Sequence, residues 1–264
     1  MTNKSIALFD MDGTLTPPRG KAEDCIIRSL VELSQHCDIG ILTGSDLDYV
    51  MQQLPQIEDL ANQVQNSIDI LPCNGTKRFT ISKSGKFEQQ NCVNMLDVLG
   101  RDTYNKILVK CCEWQSEIMR QHNDLSFTGT FIQYRGSLIN WCPIGRNAGE
   151  VERKEWEDFD SRTGTRVTYQ DKLQGVLSDW GSKVTVALGG STSFDIYPDG
   201  WDKTYGLTYY GGYDAYFVGD RCRLGGNDWH IYEKLSKVGN AYETTGPDQT
   251  LDIIRDIINR VSKM

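Results

Sequence analysis

Nowhere in this chain of 264 residues do roughly 18 apolar side chains follow one another, so no segment has the reach of a membrane-spanning helix. Met1 to Asp10 also has no basic leader ahead of an apolar run of about 7–15 residues, so the expectation is a chain neither exported by a signal peptide nor inserted in a membrane. Basic residues are in the minority. Lys and Arg number 28 against 36 Asp and Glu, and the resulting net charge of −8 repels polyanions, which excludes a protein that coats nucleic acid. A small anionic substrate is still allowed, because local arginines can bind it. Histidine is scarce: His36, His122 and His230 form neither a cluster nor a triad pattern with serine or cysteine. Cys25, Cys37, Cys73, Cys92, Cys111, Cys112, Cys142 and Cys222 are scattered without a C-x-x-C pair, and they read as reduced thiols of a cytoplasmic protein. No G-x-G-x-x-G occurs, so Gly189-Gly190 and Gly211-Gly212 read as turns and not as a dinucleotide fingerprint.

What is present is enough to fold. With 39% hydrophobic and 10% aromatic residues the chain can build a packed core, and its length suits two domains of about 100–150 residues better than one. Ser5 to Phe9 (SIALF) and Asp38 to Leu42 (DIGIL) read as buried parallel strands. Between them Ile26, Ile27, Leu30, Val31 and Leu33 recur at helical spacing, which completes a βαβ unit. The far end shows the same strand and helix patterns, since Ala215 to Val218 runs into Gly219-Asp220, and Leu251, Ile254, Ile258 and Val261 lie on one helical face. The middle differs. Thr80 to Glu88 reads as a hairpin around Lys83-Ser84-Gly85-Lys86, Gly129 to Asn140 alternates apolar and polar residues, and Glu150 to Asp160 reads as a helix with a solvated face. The expectation is therefore an α/β core made of residues 1–83 and 188–264, interrupted by an α+β insert at 84–187.

Chemistry concentrates at the strand ends. Asp10-Met11-Asp12-Gly13-Thr14 follows the first strand directly, and in open α/β sheets ligands gather at the carboxyl ends of the strands. Asp10 can attack phosphorus to form an aspartyl-phosphate, while Asp12 gives the leaving oxygen its proton and later takes one back. Thr43 and Ser45 after the second strand offer phosphate donors, and Lys203 offers a cation against the crowding of anions. Asp10, the main-chain carbonyl of Asp12, and Asp220 make an oxygen-only set suited to Mg²⁺.

The order Asp10-x-Asp12, Thr43/Ser45, Lys203, Asp220 resembles the haloacid-dehalogenase superfamily of phosphotransferases. Thr16 to Lys21 (TPPRGK), Gly129 to Arg135 (GTFIQYR), Pro143 to Arg146 (PIGR), Ser193-Phe194-Asp195, Pro198 to Lys203 (PDGWDK) and Gly225 to Asp228 (GGND) resemble, more narrowly, the eukaryotic-type phosphomannomutase family. The resemblance implies a Rossmann-like core with an inserted, mobile cap. It further implies interconversion of mannose 6-phosphate and mannose 1-phosphate through a hexose 1,6-bisphosphate that also serves as activator, and a homodimer formed through the cap. Carried over residue by residue, it gives substrate contacts at Arg19 in the core, at Arg135, Arg146 and Arg153 in the cap, and at Ser193 and Asp195, with Asn140 a further candidate. Arginine forks suit the far phosphate of a bisphosphate independently of any kinship. Lys234 and Lys237 stand where the family keeps an aspartate and a threonine beside a structural cation, and Thr128 stands where a basic residue often precedes Gly-Thr-Phe. The chemistry alone leaves open a capped sugar-phosphate phosphatase, in which water intercepts the aspartyl-phosphate.

Overall fold

The computed structural model describes residues 4–263. In chain order it runs β1 (Ser5–Phe9), α1 (Asp24–Leu33), β2 (Asp38–Leu42), α2 (Leu47–Gln53), α3 (Ile57–Gln63), β3 (Ile68–Leu71), β4 (Lys77–Ile81) and β5 (Phe87–Cys92). There follow α4 (Met95–Gln121), β6 (Ile132–Tyr134), β7 (Ile139–Trp141), α5 (Glu150–Thr163), α6 (Thr165–Asp179), β8 (Val184–Gly189) and β9 (Ser193–Pro198). The chain closes with a 3-10 helix at Lys203–Tyr210, then β10 (Asp214–Gly219), α7 (Trp229–Ser236), β11 (Ala241–Glu243) and α8 (Pro247–Val261). Two compact units result, one made of the chain up to Cys92 and from Trp201 onward, the other of Val93–Gly200.

The first unit is a seven-stranded sheet in the order β11-β10-β1-β2-β3-β4-β5, parallel from β11 to β3, with β4 and β5 antiparallel. β1 is buried along its whole length because both sheet faces are covered. Ala7 and Phe9 join Ile26 and Leu30 of α1 and Ile254 of α8 on one side, while Ile6 and Leu8 join Phe217, Ile231 and Leu235 on the other. The period-2 alternation of a strand thus divides one pentapeptide between two cores. Each of the larger side chains contributes about 1.5–3 kcal/mol by burial.

The second unit is a four-stranded antiparallel sheet, β6-β7-β9-β8. Ile139, Trp141, Phe194, Ile196 and Val186 are buried, on the side where α4 and α6 pack. Cross-strand pairing puts Gln133, Asn140 and Asp195 in one row on the other face.

The mixed α/β class and the βαβ opening are as the residues indicate, but the seams differ from the expected positions after residues 83 and 187. The 80–88 hairpin belongs to the core, because β4 pairs with β3 and carries β5 with it, so the seam falls after Cys92. β8 pairs with β9, and β9 with β7, so the return falls after Gly200. Hydrogen-bonded ladders cannot be divided between units without stranding their donors and acceptors.

Candidate active site

Strand register assembles the first cluster. Phe9 is level with Val218 of β10 on one side and Ile41 of β2 on the other, so the residues just beyond, Asp10, Asp220 and Thr43, emerge together at the carboxyl end of the sheet. Asp10 is 4% exposed and Lys203 is fully buried. The Lys203 ammonium donates to Asp10 Oδ1 and to Asp228 Oδ1, the second at 2.5 Å. Burial works against the lysine's charge, but Asp10 and Asp228 outweigh it and push its pKa up. For Asp10 burial is the largest influence and raises its pKa; Lys203 opposes this, Asp228 and Asp220 add to it, and the carboxyl is pushed up to about 8. Asp220 is also raised, by burial first and then by Asp228.

Asp10, Asp220 and Asp228 each offer an oxygen within 4.8 Å of the others. Asp220 Oδ1 is buried with no hydrogen-bond partner. Gly13, at φ +78°, leaves room for this carboxylate, since a Cβ there would lie 2.5 Å from Asp220 Oδ2. An orphaned carboxylate oxygen within an acidic trio fits a hard divalent cation such as Mg²⁺. Asp228 belongs to this trio although residue order alone does not reveal its role; the signal is its place in Gly225-Gly226-Asn227-Asp228, eight residues past Asp220. The Asp12 carboxylate is not in the trio, which leaves its main-chain carbonyl as the atom it could offer a metal.

Asp12 is held by other partners. Its Oδ1 accepts from Gln53 Nε2 at 2.7 Å, from the Arg19 backbone N–H at 2.7 Å and from the Tyr49 hydroxyl at 3.4 Å. Arg19 itself is exposed, at φ 61° in a turn closed by Gly20 N–H donating to the Pro17 carbonyl at 2.7 Å. Thr43 is buried, and its Oγ1 accepts the Ser45 N–H at 3.1 Å, so the hydroxyl proton is left to donate. The loop after Asp220 is tied by Asp228, whose Oδ2 accepts the Arg221 N–H at 3.1 Å. On α7 Lys234 is exposed, and Lys237, just past the helix end, pairs with Glu233 at 3.6 Å.

The second unit gathers most of the other predicted residues on its polar sheet face. Asn140 is the hub: its Nδ2 donates to Ser193 Oγ at 3.0 Å and to Asp195 Oδ1 at 2.7 Å, and its Oδ1 accepts from Arg146 Nη1 at 2.8 Å. Arg153 donates to Thr192 Oγ1 at 3.3 Å and to Ser191 Oγ at 3.1 Å, beside Ser193 in the chain. Arg135, 7% exposed, donates to Gln133 Oε1 at 3.3 Å. Guanidinium groups fixed by such partners, together with a serine and an aspartate around one amide, can bind an anion carrying hydroxyl groups.

Residues 26–260 match the model of the family described as eukaryotic phosphomannomutase. The chain is 34% identical over 261 residues to a phosphomannomutase of Saccharomyces cerevisiae, with 97% of this chain and 95% of the relative covered. It is 34% identical over 250 residues to a phosphomannomutase of Solanum lycopersicum, covering 93% and 91%. Among solved structures, an IMP-nucleotidase of Plasmodium falciparum aligns at a TM-score of 0.67 with 13% identity, covering 97% of this chain and 68% of that one. A haloacid dehalogenase-like hydrolase of Bacteroides thetaiotaomicron aligns at 0.57 with 14% identity, covering 96% and 99%. These structural likenesses carry the fold alone, whereas the sequence kinship runs nearly end to end through the acidic trio, its lysine and the arginine-bearing sheet: the chain belongs to the eukaryotic phosphomannomutase family.

Proposed function

We propose that this chain interconverts mannose 6-phosphate and mannose 1-phosphate through an aspartyl-phosphate on Asp10 and a hexose 1,6-bisphosphate. The observation that supports it best is the Asp10 carboxylate, buried at the end of β1 against Lys203 and two further carboxylates, in a chain with full-length phosphomannomutase kin. In the first half-reaction Asp10 attacks one phosphorus of the bisphosphate, the bond from phosphorus to the sugar oxygen breaks, and Asp12 supplies that oxygen with a proton. In the second half Asp12 takes the proton from a hydroxyl of a sugar monophosphate, and that oxygen attacks the aspartyl-phosphate and frees Asp10. Lys203 holds Asp10 in line, and Thr43 and Ser45 donate to the transferring group. Arg19, Arg135, Arg146 and Arg153 grip the phosphate not being transferred, and Ser193, Asp195 and Asn140 bind sugar hydroxyls.

Asp10, Asp220 and the Asp12 carbonyl would hold Mg²⁺, with Asp228 alongside; bound there it would offset the mutual repulsion of the carboxylates and the charge of the phosphate. The hexose bisphosphate is the activator, since it phosphorylates Asp10 before turnover begins. The further reading is a homodimer through the insert, and an apolar groove of about 520 Å³ lined by Met119, Phe131 and Ile132 supports it. A cytoplasmic setting agrees with eight free thiols.

The test is an assay with mannose 1-phosphate, Mg²⁺ and catalytic hexose 1,6-bisphosphate, following mannose 6-phosphate and free phosphate together. Isomerisation faster than phosphate release is expected. Phosphate release without isomerisation would replace the mutase with a phosphatase.

A further inference from the structure

Gln53 ends α2 with its side chain turned inward, 2% exposed, an uncommon place for an amide. Both ends of that amide are used. Nε2 donates to Asp12 Oδ1 at 2.7 Å, and Oε1 faces the Thr16 hydroxyl at 3.0 Å. Thr16 is itself fully buried, and its hydroxyl is directed between Gln53 Oε1 and the Met11 carbonyl, 3.2 Å away. The Asp12 carboxylate, which can only accept, fixes which way round the amide sits, because the reverse orientation would press a carbonyl oxygen against it, and the Thr16 hydroxyl anchors the amide's other end. The backbone is locked as well, since the Gln53 carbonyl accepts the Ala22 N–H at 3.0 Å and the Thr16 carbonyl accepts the Gly13 N–H at 2.8 Å.

The consequence lies in which oxygen of Asp12 is occupied. Gln53, the Arg19 N–H and the Tyr49 hydroxyl all converge on Oδ1, and Oδ2 accepts no hydrogen bond among the described residues. From this geometry we infer that Gln53 is a positioning residue that ties Oδ1 of Asp12 and so leaves Oδ2 as the oxygen that delivers and receives the proton of the sugar oxygen. The inference rests on the role proposed above for Asp12. A carboxylate free to turn about its terminal bond would present either oxygen at a range of angles, whereas proton transfer needs one oxygen within hydrogen-bond reach of the leaving group.

The test compares a leaving group that needs a proton with one that does not. Turnover of mannose 1-phosphate, with Mg²⁺ and catalytic hexose 1,6-bisphosphate, requires protonation of a sugar oxygen. The pre-steady-state burst of 4-nitrophenolate from 4-nitrophenyl phosphate reports phosphorylation of the enzyme, and that anion leaves unaided. Gln53→Leu is expected to lower kcat on the sugar phosphate about 10- to 100-fold with KM nearly unchanged, and to leave the burst rate within about 3-fold. Thr16→Val is expected to follow in the same direction and Thr16→Ser to restore activity. Gln53→Glu, nearly the same shape, carries the comparison should Gln53→Leu fail to fold. Equal losses on both substrates, or none, would overturn the assignment of Gln53. Asp12→Asn in the same pair of assays separates the two ideas. If it discriminates between the leaving groups while Gln53→Leu does not, Asp12 keeps its role and Gln53 loses it; if neither discriminates, the role of Asp12 falls first.

Discussion

At Asp10 a residue bound by a lysine is nonetheless kept above the ordinary carboxylate range, because burial and two acidic neighbours together outweigh one ammonium. The sign of the stability effect follows from this. In the unfolded chain the group ionises near 3.8, and in the fold it holds its proton up to about 8, so the folded state binds the extra proton between these values. Stability from this group is therefore complete below the unfolded value and is lost as pH rises through the folded one. The metal-free protein should show a thermal midpoint that falls between pH 5 and pH 8.5, and Asp10→Asn should flatten that fall while abolishing phosphoenzyme formation. Thermal melts at the two pH values and trapping of the phosphoenzyme check both halves. Arg146 offers a second residue-scale test. Losing its fork from a far phosphate, at about 1.5–3 kcal/mol for a charged hydrogen bond, should raise KM for mannose 1-phosphate at least 10-fold. The burst from 4-nitrophenyl phosphate, which has no second phosphate, should not change, and steady-state and burst kinetics on the one variant decide the matter.

Whole elements meet the site through their ends. The 3-10 helix Lys203–Tyr210 begins at the buried lysine, with Asp202 capping it through the Thr204 N–H at 2.8 Å. Its midpoint, Gly206, rests on Gly75 so closely that a Cβ at Gly75 would lie 2.7 Å from Gly206 Cα. Gly75 also has φ +85°, where a side chain is strained whatever space surrounds it. Gly75→Ala should therefore destabilise the fold by about 1–3 kcal/mol, the usual cost of overpacking, and should lower activity by lifting the helix that places Lys203. Denaturant unfolding monitored alongside turnover would show the two losses together. Gly75→Ala with full activity would mean that the helix end does not need that contact to hold its lysine.

On the scale of the molecule the acidic excess has a local counterpart, three carboxylates set around one buried ammonium in a chain of net charge −8. A divalent cation should stabilise such a protein, and more strongly at alkaline pH, where the carboxylates are ionised. Magnesium titration followed by thermal shift is expected to raise the midpoint more at pH 8.5 than at pH 5. Binding should saturate at one ion per chain. The loop 220–228 already closes on Asp228 through hydrogen bonds, and α7 carries an exposed Lys234 where the family resemblance places a carboxylate. Anomalous scattering from Mn²⁺-soaked crystals showing a second fully occupied site beside Tyr232 would contradict the stoichiometry and leave the reaction untouched.

Asp10, Asp12 and Asp220 stand out in the residue order because a strand end followed by acidic residues is a local pattern, with the apolar run, its breaker and the carboxylates within a few residues of one another, whereas Lys203 stands out only through its order relative to them. The arginine-bearing segments were legible through kinship, which preserves chemistry along the chain. What only the tertiary structure decided is non-local. The hairpin of β4 and β5 joined the core because β3 offered a free edge, and nothing within the hairpin's own residues states which edge it will meet. Asn140 became a hub because the register of β7 on β9 set it opposite Asp195, and a slip of one residue would have turned it to the other face. Asp228 closed the acidic trio, and Gln53 met Asp12 across 41 positions of chain, through packing that brings loop ends together once the sheet exists. Periodicity and motif order are properties of neighbours along the chain, whereas partners for buried polar groups are chosen by whichever surfaces the folded layers bring within about 3 Å of each other.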